Sequence, residues 1–321
     1  MIERLARWRS RVRLALTRNL LPAQVFQPPT WLPHWAGPHQ YVDLSAHHFA
    51  SAESVDKGTP DLGAIKRAIA AELIRTGDLD QAHRLAAVDM RDPTGFHVYM
   101  GMIRQHSAEA LKDAASLGPD VVLHISCMPR IERARESVLS FTGSQLIVVG
   151  GDAFRLADGV LSVPAGDTYE HLPSKVCAAA FFLALCPQVE AVLKVDDDHR
   201  LTSPSELVAG FRAVKHETPI IAGRVIDTGA LGLHTRVWHF GKVAVDRPHT
   251  MLGTSRLVSG GGGYFLNRSA LHVLQWSWVY FRDYIDNGLY EDVTVSDLLE
   301  RHGGTMIQVE MNKVLGTVST Y

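Results

Sequence analysis

From about residue 62 to residue 117, apolar positions recur at helical spacing, with breaks at Gly77-Asp78 and ahead of Pro93. This pattern predicts helices over residues 62–76, 79–90 and 95–117. After Gly118-Pro119 the texture changes to short, β-branched apolar runs alternating with helical segments. Strands are predicted at 121–127, 145–149, 159–163, 191–195, 220–226 and 237–243. Helices are predicted at 131–141, 172–185 and 204–214, the last opened by Ser203 as its N-cap. Such alternation means an α/β fold, a mainly parallel sheet with helices on both faces. Ahead of it, residues 22–60 carry Pro22, Pro28, Pro29, Pro33, Pro38 and Pro60 with little periodicity and read as a Pro-rich linker. The predicted organisation is a helix at 1–21, the linker at 22–60, a small helical subdomain at 61–118 and the α/β domain at 119–321.

Composition narrows this picture. With 321 residues, 46% of them hydrophobic and 21% charged, the chain can bury a real core, which excludes general disorder. A net charge of −2 excludes a protein that coats nucleic acid. Charge is uneven, because residues 1–20 hold six arginines against Glu3, a local charge of +5. In that segment Leu5, Trp8, Val12, Leu16 and Leu20 share one helical side, which suits either an anionic membrane surface or packing on the protein itself. Cys127, Cys177 and Cys186 have no CxxC spacing and read as reduced thiols, so a cytoplasmic protein is expected, peripheral at the inner face of a membrane if the first helix docks there. The longest apolar run, Ala178 to Cys186, stops at Pro187, far short of a membrane span, and the amino terminus has no signal-peptide core. The phrase AELIRTGDLDQAHRLA resembles one tetratricopeptide hairpin, but an array needs about three repeats to bury its faces.

Candidate chemistry starts at the end of the 191–195 strand, where Asp196, Asp197 and Asp198 stand in a row. On extended backbone Asp196 and Asp198 share a side and Asp197 faces away. That pair offers hard oxygen ligands to Mg²⁺ or Mn²⁺, and ligands of open α/β sheets gather at the carboxyl ends of strands. The competing reading is a solvated acidic loop. Further on, Ser259 is followed by four glycines and Tyr264, a run that permits close backbone approach or is simply a flexible turn. Glu291 and Asp292 then open a helix, where they either suit its positive end or supply a general base at the rim of a cleft.

Taken in order, these motifs resemble the β-1,3-galactosyltransferase and fringe-like enzymes of glycosyltransferase family 31. The resemblance runs through an Arg-rich segment from Arg130 to Ser137, the stretch Asp167-Thr168-Tyr169 to Lys175, and Lys194 with the three aspartates. It continues through Gly261-Gly262-Gly263-Tyr264 and Glu291-Asp292-Val293-Thr294-Val295, and so spans roughly residues 120–300. It implies a GT-A fold and an inverting, metal-dependent transfer of a sugar from a nucleotide-sugar donor, usually a UDP-sugar, to a hydroxyl of a glycan or glycoconjugate, typically in β-1,3 linkage. It further implies that Arg130, Arg135, Lys175, Lys194, Asp196 and Asp197 line the donor site. Asp198, with Asp196, would bind Mn²⁺ or Mg²⁺; Gly261 to Gly263 and Tyr264 would face the acceptor. Asp292 would be the catalytic base, with Glu291 as the alternative.

The chain departs from the family in places. Val138 replaces the Trp of the Arg-rich motif, His199 follows the aspartates, and the usual amino-terminal membrane anchor is missing. Fringe-like members use a histidine nearer the carboxyl end as a third metal ligand; His302 is the only candidate after His272, and its helix-end position also fits a cap or a surface group. Two other readings stand beside the transferase: a non-catalytic glycan-binding or scaffold protein on the same fold, and a sugar nucleotidyltransferase. The second would want a Gly-rich basic loop after the first strand, which His124-Ile-Ser-Cys-Met-Pro129 does not offer.

Overall fold

The computed structural model describes residues 72, 75–88, 93–227 and 256–317. The helix expected at 1–21, the linker at 22–60, most of the helix at 62–76 and the strand at 237–243 lie outside the described residues. The chain divides into two compact units, with the division between Lys112 and Asp113. In the first, α1 (Leu79–Val88) packs against α2 (Pro93–His106), with Ala82, Ala86, Phe96, Val98 and Met100 buried. One helix was expected over 95–117, but the chain breaks it at buried Ser107 and resumes as α3 (Ala108–Ala114).

The second unit is built on an eight-stranded mixed sheet. Its strands are β1 (Asp120–Ile125), β2 (Ser144–Gly151), β3 (Arg155–Ala157), β4 (Val160–Pro164), β5 (Ala191–Asp196), β7 (Ile220–Gly223), β10 (Tyr264–Asn267) and β11 (Thr305–Gln308). Their order is β11-β7-β10-β5-β1-β2-β4-β3. β1 pairs in parallel with both β2 and β5, β2 with β4 and β7 with β11, whereas β10 lies antiparallel between β5 and β7. The sequence pattern pointed to a mainly parallel sheet; the exceptions are β10 inside it and β3, which pairs antiparallel with β4 at its edge. Two small ribbons complete the unit: β6 (His199–Leu201) with β12 (Leu315–Thr317), and β8 (Val225–Asp227) with β9 (Arg256–Val258). The single strand expected over 220–226 is therefore two, separated at Arg224.

Helices cover both faces, and the strand period sorts them. Val122, Leu193 and Val195 face α6 (Pro204–Ala213) through Leu207 and Phe211, and Ile147 and Val149 on the same face meet α4 (Ile131–Val138) through Ala134. The opposite face carries α5 (Leu172–Ala184), α7 (Arg268–Tyr280) and α9 (Glu291–Arg301), which pack on one another. Between α7 and α9 lies the short α8 (Arg282–Asn287), and α10 (Met311–Val314) leads into β12. α5 is buried around nearly its whole circumference, as the apolar run Val176–Ala184 requires, and its first turn buries Ser174 and Lys175 as well. Fully buried Phe181, Phe182 and Phe265 each contribute on the order of 3 kcal/mol by leaving water.

Local signals set the helix starts. Ser203 accepts the Glu206 N–H at 3.3 Å, with Pro204 at the first helical position, as the sequence predicts. Asn267 ends β10 and caps α7 by accepting the Ala270 N–H at 2.9 Å; it also accepts the Ile220 N–H at 3.0 Å, which fixes β7 beside it.

Candidate active site

The apolar run of β5 places its last residue, Asp196, at the carboxyl edge of the sheet, beside the end of β1. The chain does not continue extended. It turns through Asp197 and Asp198 and resumes as β6 at His199. Asp196 and Asp198 nonetheless end on one side with His199, and one ligand atom from each of the three lies within 4.8 Å of the others. Among the described residues this is the only His/Asp/Glu/Cys group able to hold a metal ion. His199 is buried, and its Nδ1 accepts the Asp196 N–H at 3.1 Å. The ring therefore carries its proton, when neutral, on Nε2.

Asp197 points away, as expected, and its surroundings correct its expected contact with the donor. It is 3% exposed, accepts the Ser126 Oγ–H at 2.9 Å through Oδ2, and meets Arg130 at 2.5 Å through Oδ1. Burial raises its carboxyl above the ordinary value, against the pull of Ser126 and Arg130. Asp197 is thus a strut between the ends of β5 and β1.

The arginine partners of the triplet differ from those the family resemblance implied. Arg130 is in place, but Arg135 pairs with Glu132 at 3.0 Å on the exposed side of α4. Arg133 instead donates to Asp198 Oδ2 at 3.1 Å. Helical geometry explains the difference: Arg133 and Ser137 are four apart and share a face, while Arg135 is two residues off it. On that same face Ser137 Oγ donates to the His199 carbonyl at 2.5 Å. Ser137 also meets buried His124, Nδ1 to Oγ at 3.0 Å, so the β6 end of the turn is pinned from below.

The two lysines are interior groups, which corrects their expected place at the donor. Lys175 is 2% exposed and donates to the Ser126 carbonyl at 2.7 Å and to Asp167 at 3.3 Å. Asp167 in turn accepts the Gly150 N–H at 2.7 Å and the Met128 N–H at 2.6 Å, tying the turn after β1 to the end of β2. Lys194 is equally buried. Its Nζ reaches Asp196 Oδ1 at 2.8 Å, Glu291 Oε2 at 3.2 Å and the Gly260 carbonyl at 3.2 Å. Burial opposes the Lys194 charge, but Asp196 and Glu291 together outweigh it and hold the ammonium above its ordinary pKa.

The glycine run and the Glu-Asp pair meet at that ammonium. Gly260 to Gly262 form a tight turn, and Gly263 adopts φ 74° before β10 begins at Tyr264. A Cβ on Gly263 would stand 2.9 Å from the Lys194 carbonyl, so only glycine fits this close, left-handed position. Gly260 donates its N–H to Asp292 Oδ2 at 2.9 Å, while Asp292 Oδ1 accepts the Val293 N–H at 2.9 Å. The half-buried Asp292 thus holds the N-terminus of α9. Glu291 does not cap that helix; it is buried on Lys194 and on the Tyr264 hydroxyl, which donates to its Oε1. Burial raises the Glu291 carboxyl above its ordinary value. Tyr264 is fully buried, which removes it from the expected acceptor side, and Gly263 is buried as well. Only Gly261 and Gly262 border open space, in a cavity of about 540 Å³ that His199 also lines.

Tyr169 lies near the same carboxylates. Burial raises its phenol above the ordinary value, and the carboxylates of Asp292, Asp196 and Glu291 add to the effect. His302 stands apart: α9 runs eleven residues from Glu291 to Arg301, on the order of 16 Å along its axis. Its Nδ1 donates to the Leu298 carbonyl at 2.6 Å, and its ring packs on Trp276 at 4.8 Å. It is a helix-end packing group, and the third member of the metal-capable group is His199.

Sequence reasoning missed Arg133, Ser126 and Gly260, and noted His199 only as a departure. The spacing of Arg133 to Ser137 was the one signal that could have singled out Arg133. Comparison of the chain with protein-family models and with the curated proteins finds no match in either.

Proposed function

We propose that the chain is an inverting, metal-dependent glycosyltransferase of GT-A type, moving a sugar from a UDP-sugar to a hydroxyl of a glycan or glycoconjugate in β-1,3 linkage. The observation that carries this reading is the link between a metal-capable carboxylate and a separate carboxylate base. Lys194 holds both Asp196 and the Gly260 carbonyl, while the Gly260 N–H holds Asp292. Residues almost a hundred positions apart thereby form one rigid unit at the carboxyl edge of the sheet, where open α/β sheets bind ligands.

Two carboxylates and an imidazole are a donor set suited to Mn²⁺, and less so to Mg²⁺, which prefers oxygen alone. Asp196 and Asp198 would hold the ion with His199 through Nδ1, the unprotonated ring nitrogen, which lies 3.6 Å from Asp198 Oδ1 and would exchange the Asp196 N–H for the metal. When bound, the ion supplies positive charge that neutralises a departing diphosphate. Arg133 and Arg130 flank the same edge and orient donor phosphates. Asp292, fixed by two backbone N–H groups, takes the proton of the acceptor hydroxyl as that oxygen attacks from the face opposite the leaving group. The buried pair Lys194–Glu291 keeps Asp292 and the metal group in register.

The test is a screen of UDP-, GDP- and CDP-sugars for hydrolysis or transfer, with and without Mn²⁺. The expected result is Mn²⁺-dependent turnover of a UDP-sugar that Asp198→Ala abolishes with the melting temperature unchanged. Turnover that persists in EDTA removes the metal from the mechanism. Glycan binding with no donor turned over would favour the non-catalytic alternative.

A further inference from the structure

The cavity beside the glycine turn has a wall that the chemistry above does not use. His199, Gly261 and Gly262 line it together with Arg224, Gln308 and Asn312. A Cβ on Gly261 would meet nothing within 4 Å, so this side is bare backbone, against which a flat ring can lie closely. Asn312 brings an amide that both donates and accepts, as recognition of sugar hydroxyls requires. The Gln308 amide accepts the Val225 N–H at 2.9 Å and donates to the Val309 carbonyl at 3.3 Å, leaving one N–H for a ligand.

Charge gives the cavity its selectivity. Arg224 is exposed at the join of β7 and β8, and its guanidinium has no hydrogen-bond or ion-pair partner among the described residues. The cavity's one acidic residue, Glu310, is paired with Lys313. On the other side of His199, a small cleft is lined by Arg133, Asp197 and Asp198, and there Arg130 and Arg133 are already engaged by the two carboxylates. The metal-capable group thus lies between a side whose arginines each hold an aspartate and a side whose arginine holds no carboxylate.

We propose that this cavity takes the acceptor, and that the acceptor ends in an acidic sugar whose anionic group docks on Arg224. The guanidinium fork matches a carboxylate or a sulfate ester through two parallel hydrogen bonds. The word acceptor rests on the glycosyltransferase reading; the acidic-sugar site itself does not.

The experiment is equilibrium binding of three probes to the full chain: p-nitrophenyl β-D-glucuronide, the matching glucoside and the glucoside 6-sulfate. At least one acidic probe is expected to bind about tenfold more tightly than the glucoside, in line with a charge-assisted bidentate contact. Which acidic probe wins identifies the anion. Arg224→Gln should bring that probe to the level of the glucoside, with an unchanged melting temperature. Equal or undetectable binding of all three, or an acidic preference that survives in Arg224→Gln, overturns the proposal. Mn²⁺-dependent UDP binding on the same samples separates the two readings. If it is absent while the acidic preference holds, the transferase reading falls and the sugar site stands; if it is present without the preference, the sugar site alone falls.

Discussion

The peptide N–H of Gly260 donates to Asp292 Oδ2 at 2.9 Å, and the space around Gly260 leaves no room for a side chain. A Cβ there would stand 2.5 Å from Glu291 Oε2 and 3.0 Å from Asp292 Cβ. Gly260→Ala must therefore displace the acidic pair or open the turn. The expected cost is about 1–3 kcal/mol of stability, as for other overpacked sites, with donor turnover falling at least tenfold. Gly261→Ala is the matched control, because its Cβ meets nothing within 4 Å. Thermal melts of both variants check this; equal melting temperatures would mean that the turn yields freely.

Lys194 is the second point of leverage. Lys194→Met leaves Asp196 and Glu291 without the buried ammonium between them. Breaking a buried pair in this way costs about 3–5 kcal/mol. Adding Glu291→Gln to the same chain should restore part of that loss, since the more deeply buried of the two uncompensated carboxylates is then gone. Chemical denaturation of the single and double variants measures both; an additive loss would show that the two residues do not act as a pair.

Arg133 and Arg135 sit two residues apart and should behave differently. Arg133→Gln removes the contact to Asp198 and should raise the donor KM about tenfold, within the range for a charge-assisted hydrogen bond. Arg135→Gln removes only an exposed pair with Glu132 and should leave KM unchanged. The reverse order in steady-state kinetics would return the donor contact to Arg135.

Acid should weaken the fold partly through its buried histidines. Burial lowers His124 and His272 to about 4 from 6.5, so both stay neutral in the native state. Between pH 6.5 and 4 the unfolded chain binds protons that the folded chain refuses, so stability falls as pH drops through that window. Each ring accounts for about 3 kcal/mol over the full span. Buried Asp197 and Glu291, whose carboxyls are raised, act in the opposite direction. An NMR titration therefore isolates the effect: the His124 ring should take its proton near pH 4, and a midpoint near 6.5 would contradict its burial between Ser137 and Gln145.

Much of the architecture was legible because local patterns dictated it. The apolar run ending in carboxylates gave β5 and its edge position, and Ser203 marked the start of α6 where Pro204 follows it. What stayed hidden is non-local. Nothing in the sequence of Tyr264–Asn267 says that this strand enters the centre of the sheet antiparallel, because the choice depends on β5 and β7 on either side. β6, β8, β9 and β12 are three residues each, too short for a period to register. In the site, Lys175 and Lys194 look like surface cations along the chain, and only folding supplies the carbonyls and carboxylates that consume them. No helix among the described residues is long and apolar enough to cross a membrane.

In the proposed mechanism Asp292 acts as a base beside, and separate from, the metal-capable group Asp196, Asp198 and His199. The most direct test of that role is single-turnover transfer by Asp292→Asn and Glu291→Gln at saturating UDP-sugar and Mn²⁺, with donor affinity measured on the same samples. Asp292→Asn should keep donor affinity within a few-fold, because Asp196, Asp198 and His199 are untouched. Its turnover should fall by about 10²–10⁴, the contribution of a positioned general base. Full turnover in Asp292→Asn, or a loss confined to Glu291→Gln, would rule out Asp292 as the base.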